Sequence, residues 1–195
     1  MYPNKLNQLI EALTLLPGVG IKTAERYALA LLEKDESITI NLAAMLVEAR
    51  KSLKPCPICH NITDLGICSL CSSETVDKSI ICVVSDPKEV FSIQKMNHYH
   101  GQYHVLGGLI STHKGVLPQD LNIESLIKRL DGSVNEVILG LNATVEGEMT
   151  ALYISKKLEG RVKVSRLAFG LSSVGNLDYA DELSLMKAFE GRRKI

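Results

Sequence analysis

Two Cys-x-x-Cys pairs stand close together in the chain, Cys56-Pro57-Ile58-Cys59 and Cys68-Ser69-Leu70-Cys71. A two-residue gap lets both thiolates of a knuckle face one ion, and two knuckles complete a tetrahedral shell. Four soft sulfur donors select Zn²⁺ over hard cations, although ligand type alone leaves an iron–sulfur cluster open. With protein in all four positions no site remains for a water, so the expected zinc is structural, one per chain. His60 adjoins Cys59 and could substitute as a ligand, but four cysteines suffice, and it is expected to be an exposed neighbour. Cys82, inside the apolar run Ile80 to Val84, reads as a small buried hydrophobe.

A second candidate site is a turn, Leu16-Pro17-Gly18-Val19-Gly20, between two helical segments. Gly18 and Gly20 can take positive backbone angles, and without a Cβ they let another backbone approach. The helix beginning near Lys22 aims unpaired N–H groups into the turn, an arrangement suited to phosphate. Lys22 and Arg26, four residues apart, share a face and could straddle one nucleic-acid backbone. The bland alternative is a Pro-Gly turn in a small bundle with both cations simply solvated.

A third group is acidic: Asp86, Glu146 and Glu148. Asp86 follows a β-branched run, and the two glutamates follow the strand at 137–141 within Asn142-Ala143-Thr144-Val145-Glu146-Gly147-Glu148. Carboxylates so placed can hold Mg²⁺ against a phosphodiester or move a proton. They can equally favour the positive end of the helix expected over 147–158. His98, His100 and His104 invite a second metal reading, against that of a loop-to-strand surface.

The elements that would position these groups change character along the chain. Residues 1–54 read as helical, with an amphipathic first helix, a second near 22–33 and a third over 39–52. Ala24, Ala28 and Leu31 are candidate core positions in the second, and Leu42, Leu46 and Leu53 in and after the third. Residues 55–75 are short and turn-rich. From 79 to 170, strands near 80–84, 103–106, 136–141 and 162–167 alternate with helices near 87–96, 123–130 and 147–158, which predicts a helix-covered parallel sheet. Residues 171–195 form a last segment, with an irregular loop at 170–176 and a helix at 176–190.

The glycine turn with its basic helix resembles the helix-hairpin-helix motif, which binds DNA backbones without reading sequence. The strand-to-helix string after Val137 resembles the Toprim domain of topoisomerases, primases and some nucleases. Catalytic versions end the first strand with Glu and follow the third with Asp-x-Asp. Here Ser85 stands for the Glu, and Asn142 and Thr144 for the aspartates, so the domain is expected to be non-catalytic.

Hairpin, cysteine module and Toprim domain, in this order, resemble the RecR family of bacterial recombination mediators. Shorter strings match as well: Gly101-x-Tyr103-His104-Val105-Leu106-x-Gly108, Asp178-Tyr179-Ala180-Asp181-Glu182 and Gly191-Arg192. Ala143 replaces a usual Pro, Phe169 a usual His, and Gly170-Leu171-Ser172-Ser173-Val174-Gly175 a Gly-Leu-Pro-x-Gly-Gly loop. The resemblance implies a homo-oligomeric ring, a tetramer, with DNA along its basic inner surface. It also implies action with RecO, and in many bacteria RecF, to load RecA onto single-stranded DNA. The alternative is a Mg²⁺-dependent Toprim nuclease or primase using Asp86, Glu146 and Glu148.

Composition adds limits. The 195 residues carry 22 Lys plus Arg against 22 Asp plus Glu, so no global basic field argues for nucleic acid and any DNA contact must be local. The Arg192-Arg193-Lys194 run reads as a solvated tail. With 46% hydrophobic residues, no Trp and three Phe, the core must be aliphatic. No apolar run approaches the ~18 residues of a membrane span, the N-terminus lacks the pattern of a signal peptide, and paired cysteines fit a reducing compartment. A cytoplasmic protein without a membrane partner is expected. No Gly-x-x-x-x-Gly-Lys-Ser/Thr phosphate loop is present, so ATP hydrolysis lacks its usual cradle.

Overall fold

The computed structural model describes residues 2–168 and residue 186. Two compact units divide at Leu53. The first contains α1 (Asn4–Thr14), α2 (Ile21–Leu32) and α3 (Glu36–Ser52). Apolar residues three and four apart give α1 one sticky side, and Ile10, Ala24 and Ala28 are buried there against Leu6, Leu9, Leu13 and Val19. The small alanines let the two helix backbones approach. Leu31 is only half-buried.

Leu42, Leu46 and Leu53 do not form core. They are 43%, 64% and 43% exposed, and α3 buries none of its residues. Its apolar side chains, from Ile38 to Val47, are spread round the helix instead of gathered in one stripe facing α1 and α2. An apolar groove of about 480 Å³, lined by Leu9, Leu13, Leu31, Leu42 and Leu46 among others, lies between these helices.

The second unit opens with a two-stranded antiparallel ribbon, β1 (Lys54–Pro55) with β2 (Ile62–Thr63), and a single helical turn, α4 (Ser69–Ser72). There follow β3 (Asp77–Val84), α5 (Pro87–Lys95), β4 (Gly101–Val105), α6 (Ile123–Lys128), β5 (Glu136–Leu139), α7 (Val145–Leu158) and β6 (Lys163–Arg166). The four long strands form one parallel sheet in the order β4-β3-β5-β6. Strand period two splits β3 between two cores. Ile81 and Val83 pack with Leu126, Ile154 and Leu158 on one face, while Cys82 and Val84 pack with Val90, Tyr103 and Val105 on the other. Burial on both faces explains why this strand is apolar from Ile80 to Val84.

These elements match the expected order, with ends displaced by a few residues. The loop at 170–176 and the helix at 176–190 lie outside the described residues, apart from Met186, which is helical and exposed. Among the described residues, no helix is long and apolar enough to cross a membrane.

Candidate metal centre and nucleic-acid interface

The β1–β2 ribbon exists to fold the first knuckle. Cys56 N–H donates to the Asn61 carbonyl at 2.7 Å, and His60 N–H donates to the Cys56 carbonyl at 2.9 Å. Reversing the chain in so few residues puts His60 at φ 60°, a conformation uncommon outside glycine. The second knuckle is closed by α4, where Cys71 N–H donates to the Cys68 carbonyl at 3.0 Å. The four sulfurs consequently lie within 4.8 Å of one another, with Cys59 and Cys68 at 3.5 Å. A tetrahedral zinc with Zn–S bonds near 2.3 Å needs sulfurs ~3.8 Å apart.

The four thiols compete with one another for charge. Hydrogen bonding from the Cys71 thiol draws Cys59 down to about 5. Cys68 is pushed up to about 11, chiefly by burial, and Cys71 is pushed up because its proton is held by Cys59. One sulfur can ionise at the expense of its neighbours, but four thiolates need a metal among them. Cys82, by contrast, is buried in the sheet core, and burial pushes its thiol up to about 12.

The module is fastened to the free edge of the sheet. Val105 N–H donates to the Cys59 carbonyl at 2.8 Å, which satisfies part of the β4 edge that parallel pairing leaves open. His60 is not the exposed neighbour expected. Its Nε2 lies 2.8 Å from Ser125 Oγ, and its ring meets the His104 ring edge-on at 5.3 Å. His104 is fully buried. His98 and His100 are both exposed, and among the described residues the four cysteines form the one metal-ligand group.

In the first unit, the turn places Gly18 at φ +79°, which only glycine adopts freely. Gly20 differs from expectation: its φ of −81° is open to any residue, and no atom lies within 4 Å of a Cβ built there. It serves as N-cap of α2 with no side-chain cap. Gly20 carbonyl accepts from Thr23 at 3.0 Å and Ala24 at 2.9 Å, so the helix starts cleanly at Ile21. Lys22 and Arg26 are exposed one turn apart, and Arg26 lies over the Tyr27 ring at 5.5 Å.

The third group surrounds a cleft of about 520 Å³ lined by Ser85, Asp86, Glu89, Lys114, Asn142 and Glu146 among others. Its hub is Glu89, which the sequence argument did not single out. Ser85 N–H donates to Glu89 Oε2 at 2.7 Å, Ser85 Oγ to the same oxygen at 2.9 Å, and Asp86 N–H at 3.1 Å. Asp86-x-x-Glu89 is a capping box at the start of α5, and that spacing was the available signal. Thr144 caps α7 by accepting from Gly147 N–H at 3.1 Å. Glu148 pairs with Arg166, while Glu146 faces the cleft. Asn142 and Thr144 bring no charge to the strand end where a cation would sit.

A basic helical hairpin, a four-thiolate centre and a Toprim-type sheet without its acidic pair define a zinc-bearing Toprim protein. Four family profiles match in succession. They are the RecR helix-hairpin-helix over residues 6–50, the RecR four-cysteine zinc finger domain over 53–73, the Toprim domain over 79–168 and the RecR C-terminal region over 175–193. Together they make up the full RecR domain architecture, and the chain belongs to the RecR family. The four cysteines are the ligands of its one structural zinc, and its domains support a role in recombinational repair.

Proposed function

We propose that the protein is a DNA-binding recombination mediator that holds DNA and partner proteins without catalysing a reaction. It acts in the cytoplasm with RecO, and with RecF where that protein takes part, to promote loading of RecA onto single-stranded DNA. The observation that carries this reading is the complete RecR domain order joined to a Toprim cleft with Asn142 and Thr144 at the acidic positions. DNA contact is assigned to Lys22 and Arg26, with the amides that follow Gly18 and Gly20. Self-association into a ring, a tetramer in the family pattern, is supported by the exposed apolar side chains of α3.

The test is reconstitution. RecA filament formation on single-stranded DNA coated with its binding protein is followed with RecO, with this protein, and with both. Stimulation that needs both supports the reading, and no effect in any combination contradicts it.

A second reading, a Mg²⁺-dependent nuclease or primase, draws on the carboxylates of Asp86, Glu89 and Glu146 around one cleft. Glu89 is already engaged by three donors from Ser85 and Asp86, which disfavours it as a metal ligand.

A further inference from the structure

Zinc held by four thiolates carries two negative charges in excess, and burying a net charge without compensation is costly. Compensation must come from N–H groups aimed at sulfur or from a nearby cation. Backbone donors supply part of it: Cys68 N–H lies 3.5 Å from Cys56 Sγ, and the Asn61 and Cys71 amides hydrogen-bond to the Cys59 and Cys68 sulfurs. An ionic candidate comes from the C-terminal end of α6 in the Toprim domain.

Arg129 follows α6 as its C-cap and turns back along the β4 edge. Its Nη1 donates to the Tyr103 carbonyl at 2.6 Å, and its Nη2 to Gln102 Oε1 at 2.6 Å. Nη1 also lies 3.2 Å from His104 Nδ1. His104 Nε2 is 2.7 Å from the Asn122 carbonyl; a carbonyl can only accept, so the proton is on Nε2 and Nδ1 offers a lone pair to Arg129. Burial drives His104 down to about 3. The His104 imidazole is neutral, and the guanidinium brings a positive charge to this network.

Every oxygen or nitrogen acceptor of Arg129 is uncharged. Among the described residues, no carboxylate lies within ion-pair distance of it. Burial disfavours its charged form, and what favours that form is first the sulfurs of Cys71, Cys59 and Cys56. The route to the metal centre is short: Arg129 contacts His104, His104 meets His60, and His60 follows Cys59 in the chain. The same β4 edge that holds Arg129 through Tyr103 holds Cys59 through Val105.

We infer that Arg129 is the counter-charge of the zinc tetrathiolate, a positioning residue through which the Toprim domain helps the four-cysteine module retain its metal. The inference concerns zinc already assigned to the cysteines and is independent of what the protein does with DNA. It makes zinc affinity a property of two modules together. Outer partners of a metal site typically alter affinity by about 10–100-fold.

The experiment uses the full-length protein loaded with one zinc, titrated with a chromogenic chelator, alongside Arg129→Gln and Arg129→Lys. Glutamine removes the charge and should weaken zinc retention by about 10–100-fold, while lysine keeps the charge and should retain most of the affinity. Urea unfolding with and without zinc separates charge from scaffolding. The glutamine variant should lose more stability with zinc than without it, because the zinc-free form loses only the guanidinium hydrogen bonds to Tyr103, Gln102 and His104. Wild-type zinc affinity in the glutamine variant would overturn the proposal. So would equal destabilisation of the zinc-loaded and zinc-free forms, or a lysine variant that loses zinc as fully as glutamine. Should the glutamine variant not fold even with zinc, the lysine variant decides alone: zinc retained supports the counter-charge, and zinc lost from a folded protein refutes it.

Discussion

Asn142 Nδ2 donates to Glu89 Oε1 at 3.2 Å. In a catalytic Toprim site an aspartate at position 142 would share a cation with its carboxylate neighbours. Here an amide supplies the positive end of a dipole instead, and the strand ends are held by hydrogen bonds. Asn142→Asp should therefore place like charges side by side and lower stability by about 1 kcal/mol, read as an earlier urea midpoint.

The same contact bears on chemistry. Incubation with plasmid and single-stranded DNA in Mg²⁺ or Mn²⁺ should give no cleavage, relaxation or primer synthesis. Turnover that Glu146→Gln abolishes would make this protein an enzyme.

Elemental analysis of fresh protein should find one zinc per chain. Cys56→Ser with Cys71→Ser should lose it, together with the order of residues 55–72, because binding energy and folding energy are linked in so small a module. Metal that persists in that variant would place the site elsewhere.

Gly147 lies in the first turn of α7 directly against the Asn142 carbonyl, and a Cβ there would overlap that oxygen. Gly147→Ala must push the loop 142–144 away and should cost about 1–3 kcal/mol, despite alanine's better helix propensity. Unchanged thermal unfolding would show that the loop yields freely.

His104 gives a pH dependence with a definite sign. Its folded pKa is lowered to about 3 by burial, against an ordinary value near 6.5. Between these values the unfolded chain binds a proton that the native one refuses, so stability falls as pH drops through the window. His104→Gln, which can still donate to Asn122 and accept from Arg129, should show a shallower fall between pH 6 and pH 4 than wild type.

The metal centre was legible because Cys-x-x-Cys spacing is local chemistry, fixed within four residues by the turn each knuckle needs. The parallel sheet was legible for a similar reason: Ile80 to Val84 is too short and too β-branched for a helix, and strands alternate with helical periods. The exposure of Leu42, Leu46 and Leu53 was not legible, because periodicity marks an apolar face without saying whether this chain covers it. Nor were the contacts of Arg129 and Ser125, whose partners lie 25 and 65 residues away; Glu89 was legible as the end of a capping box, but not its contact with Asn142, 53 residues away.

DNA binding through the hairpin is tested most directly by Lys22→Ala with Arg26→Ala, compared with wild type at two salt concentrations on unrelated DNA sequences. Zinc content and assembly mass serve as controls, since both side chains are exposed. Phosphate contacts release counterions, so losing two should weaken binding to all sequences alike and flatten the salt dependence by about one unit each. A double variant that assembles normally and binds with wild-type affinity and salt slope would contradict the account, leaving the hairpin a turn and the DNA surface elsewhere.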